Sequence, residues 1–159
     1  MTLSEMTESP RTLLLSGLDG LCEKALDSAE SFKQQAIISV AELTRGSNGR
    51  ISAELVEANQ YATHGLAWLA TYVEALRETL NWSRALSSEG KFGELEQLIL
   101  QAGFSEYLSQ IAGGIPMTLG EIIRPLDLGL DDAAIAKYKT AEVATLIEAG
   151  HSASVKERI

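Results

Sequence analysis

At 159 residues the chain has the length of one domain, and with 45% hydrophobic residues it can bury a sizeable core. A formal net charge of −9 excludes partners that must be met by clustered cations, namely nucleic acid and anionic membrane surfaces. The single cysteine, Cys22, can close no internal disulfide, so a reducing cytoplasm is the expected location.

Residues 1–10 are polar and end in Pro10; they read as a flexible arm. The opening MTLSEMTESPRTLLL has two glutamates, no basic start and a three-residue apolar patch, which is not a signal peptide. No run approaches the length of a membrane span. Residues 11–150 read as one helical bundle domain. From about Arg11 to Arg45 the residues Leu18, Cys22, Ala25, Ala29, Phe32, Ala36, Val40 and Leu43 recur at spacings of three and four, the helical period. Gly46-Ser47-Asn48-Gly49 stops that helix and turns the chain.

Ser52 is the expected N-cap of a second, long helix of roughly 50 Å, with Glu54 opposing its dipole. One stripe along it is Ala62, Leu66, Leu69, Val73, Leu76 and Leu80. An adjacent line is Tyr61, Gly65, Trp68, Tyr72, Ala75 and Trp82. So wide an apolar face suits a central helix touching two neighbours. A third helix is expected from Phe92 to Ile111, buried through Leu95, Leu98, Ala102 (or Ile99), Tyr107 and Ile111 and ended by Gly113-Gly114. Thr118 and Glu121 have the spacing of a capping box, predicting a short helix through Ile123 that Pro125 halts. Asp131 or Asp132 should cap a last helix reaching Ala149, with Gly150 beyond it. Residues 151–159 read as a polar tail or linker. With no sustained alternation anywhere, the fold class is all-α: an antiparallel helical bundle of about four to five helices with one long central helix.

The chemistry-bearing residues do not assemble. One cysteine and two histidines, His64 and His151, give no metal ligand set, and the glycine patterns of nucleotide sites and the serine elbow are absent. Cys22 lies on the apolar stripe of the first helix, where a free cysteine packs as a small hydrophobe. His64, one turn before Trp68, reads as a hydrogen-bonded histidine at a helix contact; the sharper reading has it reaching another domain. Tyr61, Trp68, Tyr72 and Trp82 are four of only nine aromatics, more often core than anchor, although exposed members would be natural anchors for a partner. No catalytic, cofactor-binding or metal residue is expected.

Three phrases carry a family resemblance: HGLAWLATYVEALR (64–77), GELEQLIL (93–100) and EYLSQIAGGIPMTLGEIIRPLDLGL (106–130). Together they resemble the N-terminal helical extension of the (2S)-methylsuccinyl-CoA dehydrogenase subgroup of acyl-CoA dehydrogenases. Residues 50–130 carry the similarity, and the first helix shares its character. The resemblance implies a non-catalytic domain supporting a flavin-dependent catalytic body or its oligomer. That body holds FAD and is joined in cis or carried as a separate chain. Under this reading His64, Ile115, Pro116, Met117 and Leu119 are the candidate interdomain contacts. The last four belong to a rigid, proline-bounded loop; otherwise the loop folds back on its own bundle. The alternative class is a freestanding helical interaction or dimerisation module, and a homo-oligomer fits either class.

Overall fold

The computed structural model describes residues 13–159, so the arm expected over residues 1–10 and the expected helix start at Arg11 lie outside the described residues. Helix α1 runs Leu18–Leu43, entered through Gly17 in the left-handed region at φ 66°. Leu18, Cys22, Ala25, Ala29, Phe32, Ala36 and Val40 are all buried, as their spacing requires. Leu43 is not: it is 46% exposed. The helix ends there and Thr44 takes the inward place, its hydroxyl donating to the Val40 carbonyl at 2.9 Å. The turn over residues 46–49 forms as expected, with the Gly46 N–H donating to the Arg50 carbonyl at 2.8 Å.

Ser52 caps the next helix, its hydroxyl accepting from the Leu55 N–H at 3.4 Å. The single long helix expected from here is in fact two, α2 (Ala53–Ala58) and α3 (Gln60–Ser88). Asn59 separates them. Its side-chain amide donates to the Leu55 carbonyl at 2.8 Å, beside its own N–H at 3.1 Å, so Asn59 closes the last turn of α2. Helix α3 still spans 29 residues, roughly 43 Å, and remains the central element. Its stripe is buried at Ala62, Leu69, Val73, Leu76 and Leu80, while Leu66 is half-buried.

Helix α4 (Glu94–Gly113) buries Leu98, Leu100, Phe104, Leu108 and Ile111. Of the expected side, Leu98 and Ile111 are core, Ala102 is half-buried, and Leu95, Ile99 and Tyr107 face outward. The expected register was off because apolar residues ring this helix, so periodicity could not choose between its sides.

The expected helix after Thr118 is instead a two-stranded hairpin. Strand β1 (Ile115–Pro116) pairs antiparallel with β2 (Ile122–Ile123). Ile115 and Ile123 alternate inward, Pro116 and Ile122 outward, and between them only one short turn is available. The Thr118 hydroxyl does meet Glu121, at 3.3 Å, but it closes that turn. Pro125 opens a 3₁₀ turn (Pro125–Leu128) rather than ending a helix.

Asp131 caps α5 (Asp132–Tyr138), which stops short of the expected end. Thr140 then caps α6 (Ala141–Ala149), its hydroxyl accepting from the Val143 N–H. The segment read as a polar tail contains α7 (Ala153–Arg158), capped by Ser152 and pinned by the buried Val155. Seven α-helices thus form among the described residues. The fold is all-α, with the small hairpin as its only two-stranded sheet among these residues, beside one isolated antiparallel bridge between Arg45 and Ile51.

Helix α3 lies between α1 and α4, and α6 spans α1 and α4. Arg84 meets Asp19 at 3.1 Å and Arg77 meets Glu30, which sets α1 and α3 antiparallel. Between α1, α4 and α6 sits Tyr138, its ring 4.8 Å from Phe32 and its hydroxyl donating to the Leu108 carbonyl at 3.0 Å. That bond removes the cost of burying a phenol. Gln101, fully buried, accepts from the Leu15 N–H and donates to the carbonyls of Leu13 and Gly150. It ties both ends of the described chain to the middle of α4.

Candidate functional site

The hairpin is the one irregular, outward-reaching element beside the aromatic line of α3, and it is held to that helix at two points. The Tyr61 hydroxyl donates to the Ile122 carbonyl at 2.8 Å. Ile123 packs straight onto Gly65, where a Cβ would come within 2.3 Å of Ile123 Cγ1. Gly65 is therefore a packing glycine that lets the strand approach the helix backbone. At the entry to β1, Gly114 takes φ 144°, and a Cβ there would stand 2.6 Å from Ile122 Cγ2.

The turn is closed by its own backbone. The Met117 N–H donates to the Glu121 carbonyl at 2.8 Å, and the Gly120 N–H to the Thr118 hydroxyl at 3.3 Å. This rigid support leaves Leu119 wholly exposed at the tip, with Pro116 and Ile122 exposed on the outer side and Met117 half-buried. Leu126 of the following 3₁₀ turn is 76% exposed. Between hairpin and helix runs an open groove of about 650 Å³ lined by Gln60, Tyr61, Thr63, His64, Met117 and Glu121.

The five residues expected as contacts divide. His64, Pro116 and Leu119 are exposed and Met117 is half-buried, and His64 and Met117 share the groove. Ile115 is 2% exposed and belongs to the core. Its alternation with Pro116 turns it inward, and the bundle covers it. His64 Nε2 accepts from Trp68 Nε1–H at 3.1 Å, so its ring is oriented within α3. That bond leaves the ring proton on Nδ1. Tyr61, read from the sequence as core or, if exposed, an anchor, joins the exposed set, as do Ile122 and Leu126, which were not expected. Leu126, set between a proline and an aspartate, was legible as a turn residue, whereas the exposure of Ile122 depends on a strand pairing the sequence does not announce.

The Cys22 thiol is pushed up to about 12 by burial and then by Asp19, which keeps it a protonated, inert packing group at neutral pH. The Ser105 hydroxyl is hydrogen-bonded to His151 Nδ1, but Ser105 is fully buried and offers no access to a substrate. No cluster of three or more His, Cys, Asp or Glu side chains arranged for a metal occurs among the described residues. A flavin dinucleotide fits poorly in the groove. Its pyrophosphate calls for cations or convergent N–H groups, while the groove presents the Glu121 side chain and no Lys or Arg.

What the described residues define is a helical bundle that carries an exposed apolar hairpin. Against known proteins, the chain is 40% identical over 154 residues, 97% of its length, to the (2S)-methylsuccinyl-CoA dehydrogenase of Cereibacter sphaeroides. The resemblance carried by the three phrases thus extends over nearly the whole chain. The match spans 27% of that enzyme's length, so the chain corresponds to about a quarter of its relative. No family model matches the chain.

Proposed function

We propose that this chain is the N-terminal, non-catalytic helical domain of a flavin-dependent acyl-CoA dehydrogenase acting on methylsuccinyl-CoA. It supports the catalytic body, in cis or as a separate chain. The observation that carries the reading is the match itself: almost all of this chain against about a quarter of a (2S)-methylsuccinyl-CoA dehydrogenase. In that arrangement the FAD and the proton-abstracting carboxylate belong to the remaining three quarters. The contribution of this chain is to bind and position. Pro116, Met117, Leu119 and His64 form the contact with the body, because loops fixed on a rigid scaffold present such surfaces at little ordering cost.

Co-purification tests this. The catalytic body is expressed with and without residues 1–159. Its retention of flavin, its oligomeric state and its oxidation of methylsuccinyl-CoA by dye reduction are then compared. Loss of assembly or turnover without the domain is expected. A body indifferent to the domain, with the chain self-associating instead, would favour a freestanding dimerisation module.

A further inference from the structure

A second face, distinct from the hairpin, is apolar and, among the described residues, lacks a partner. Along α4, Leu95 (46% exposed), Ile99 (40%), Gly103 and Tyr107 (36%) follow one another at four-residue spacing. They form a ridge of about 18 Å. At Gly103 a Cβ would meet nothing within 4 Å, so the ridge has a flat gap at its middle. On the α3 side Tyr72 stacks on Tyr107 at 4.7 Å, and Trp82 stands edge-on to Phe92 at 6.4 Å while remaining 36% exposed. Both tryptophans of the chain, Trp68 and Trp82, lie on this aromatic line. Because apolar residues are spread around α4 rather than gathered on one side, its outer ridge presents apolar side chains that the described bundle leaves uncovered.

We infer that this α3–α4 face is the seat of an apolar helix of the catalytic body. The inference rests on the domain reading above. Three observations select that occupant. The relative is far longer than the matched region, which is 27% of it. Arg158 Nε of α7 lies 2.9 Å from Glu94 Oε1, one residue before Leu95, so a body joined in cis would begin at the edge of the ridge. A second copy of this chain would bring another net charge of −9 against the first. The gap at Gly103 lets a helix backbone settle between Ile99 and Tyr107, as ridge-in-groove packing requires.

Thiol labelling reads the seat directly, because the native Cys22 is buried. Ile99→Cys, Leu119→Cys and the control Ile38→Cys are each made in this chain alone and in the chain joined to its catalytic body. Circular dichroism confirms the fold of each. Ile99→Cys should react freely in the chain alone and at least about tenfold more slowly in the joined protein, since an interface core excludes solvent. Ile38→Cys should react equally in both. An Ile99→Cys that stays reactive while Leu119→Cys is protected overturns this seat and leaves the domain reading standing. Full reactivity at both positions overturns both. Protection of Ile99→Cys in the chain alone that grows with concentration gives the face to a second copy and overturns the choice of occupant.

Discussion

Gly65 and Ile123 are in direct contact across the joint between the central helix and the hairpin, with no room for even a methyl group between them. Ile123 is 2% exposed and hemmed in by the bundle, so it cannot swing away. Gly65→Ala should therefore lift the hairpin from α3 and cost about 1–3 kcal/mol by overpacking, despite the better helix propensity of alanine. Thermal melting measures it. In an Ile123→Ala background, which removes the Cγ1 and Cδ1 that the new methyl would meet, Gly65→Ala should cost less, and an unchanged Tm for Gly65→Ala alone would refute the joint.

Burial separates residues that look alike in sequence. Leu69 is 1% exposed, and Leu69→Ala should cost about 2–5 kcal/mol in chemical denaturation. A change below about 0.5 kcal/mol would place it at the surface. Ile115→Asp, which puts a carboxylate in the core, should unfold the isolated domain. Leu119→Asp should leave its Tm unchanged and, under the proposed function, weaken assembly with the catalytic body.

Cys22 gives an alkaline limit. Burial raises its folded thiol to about 12 from an ordinary value of 9.0. A group whose folded pKa is raised contributes its full stability below the unfolded value. That contribution is lost as pH rises from 9.0 towards about 12. Cys22→Ala should accordingly flatten the loss of Tm across that window. At neutral pH a disulfide reagent should modify Cys22 only at the rate of unfolding.

Much of the fold was legible because most helices carry one apolar side. The seven inward positions of α1 and the core stripe of α3 followed from spacing alone. The failures share a cause. Where apolar residues ring the helix, as in α4, nothing in the pattern told Phe104 from Tyr107. At Asn59 a side-chain amide bonds back to the last turn of α2, at Thr140 a hydroxyl caps the start of α6, and in each place one expected helix became two. Thr118 and Glu121 offered a capping-box spacing, but Gly120 between them and the pairing of Ile115 with Ile123 favoured a turn. The prolines and apolar residues of 115–125 marked that segment out, and it forms the hairpin and the turn after it. Which of those residues face outward required the register of the hairpin.

The terminal helix should be the first element released in acid. Glu94 is held below its ordinary value of 4.5, chiefly by its hydrogen bond to Arg158. Glu106 is lowered by its hydrogen bond to Lys156. A carboxylate depressed in the folded state contributes stability that is present above its unfolded value. It is lost as pH falls through the lower, folded value. Both pairs are solvent-exposed, so each contributes little and salt weakens it further. Both nevertheless fasten one six-residue helix whose other hold is Val155, 1% exposed. Burial of that valine is worth about 1.5–3 kcal/mol. Hydrogen exchange should therefore show residues 153–158 losing protection below pH 4.5 while α1 and α3 stay protected. Val155→Asp should give the same loss at neutral pH. If residues 153–158 instead remain protected until the whole bundle melts, α7 is part of the cooperative core and the salt bridges to α4 are incidental.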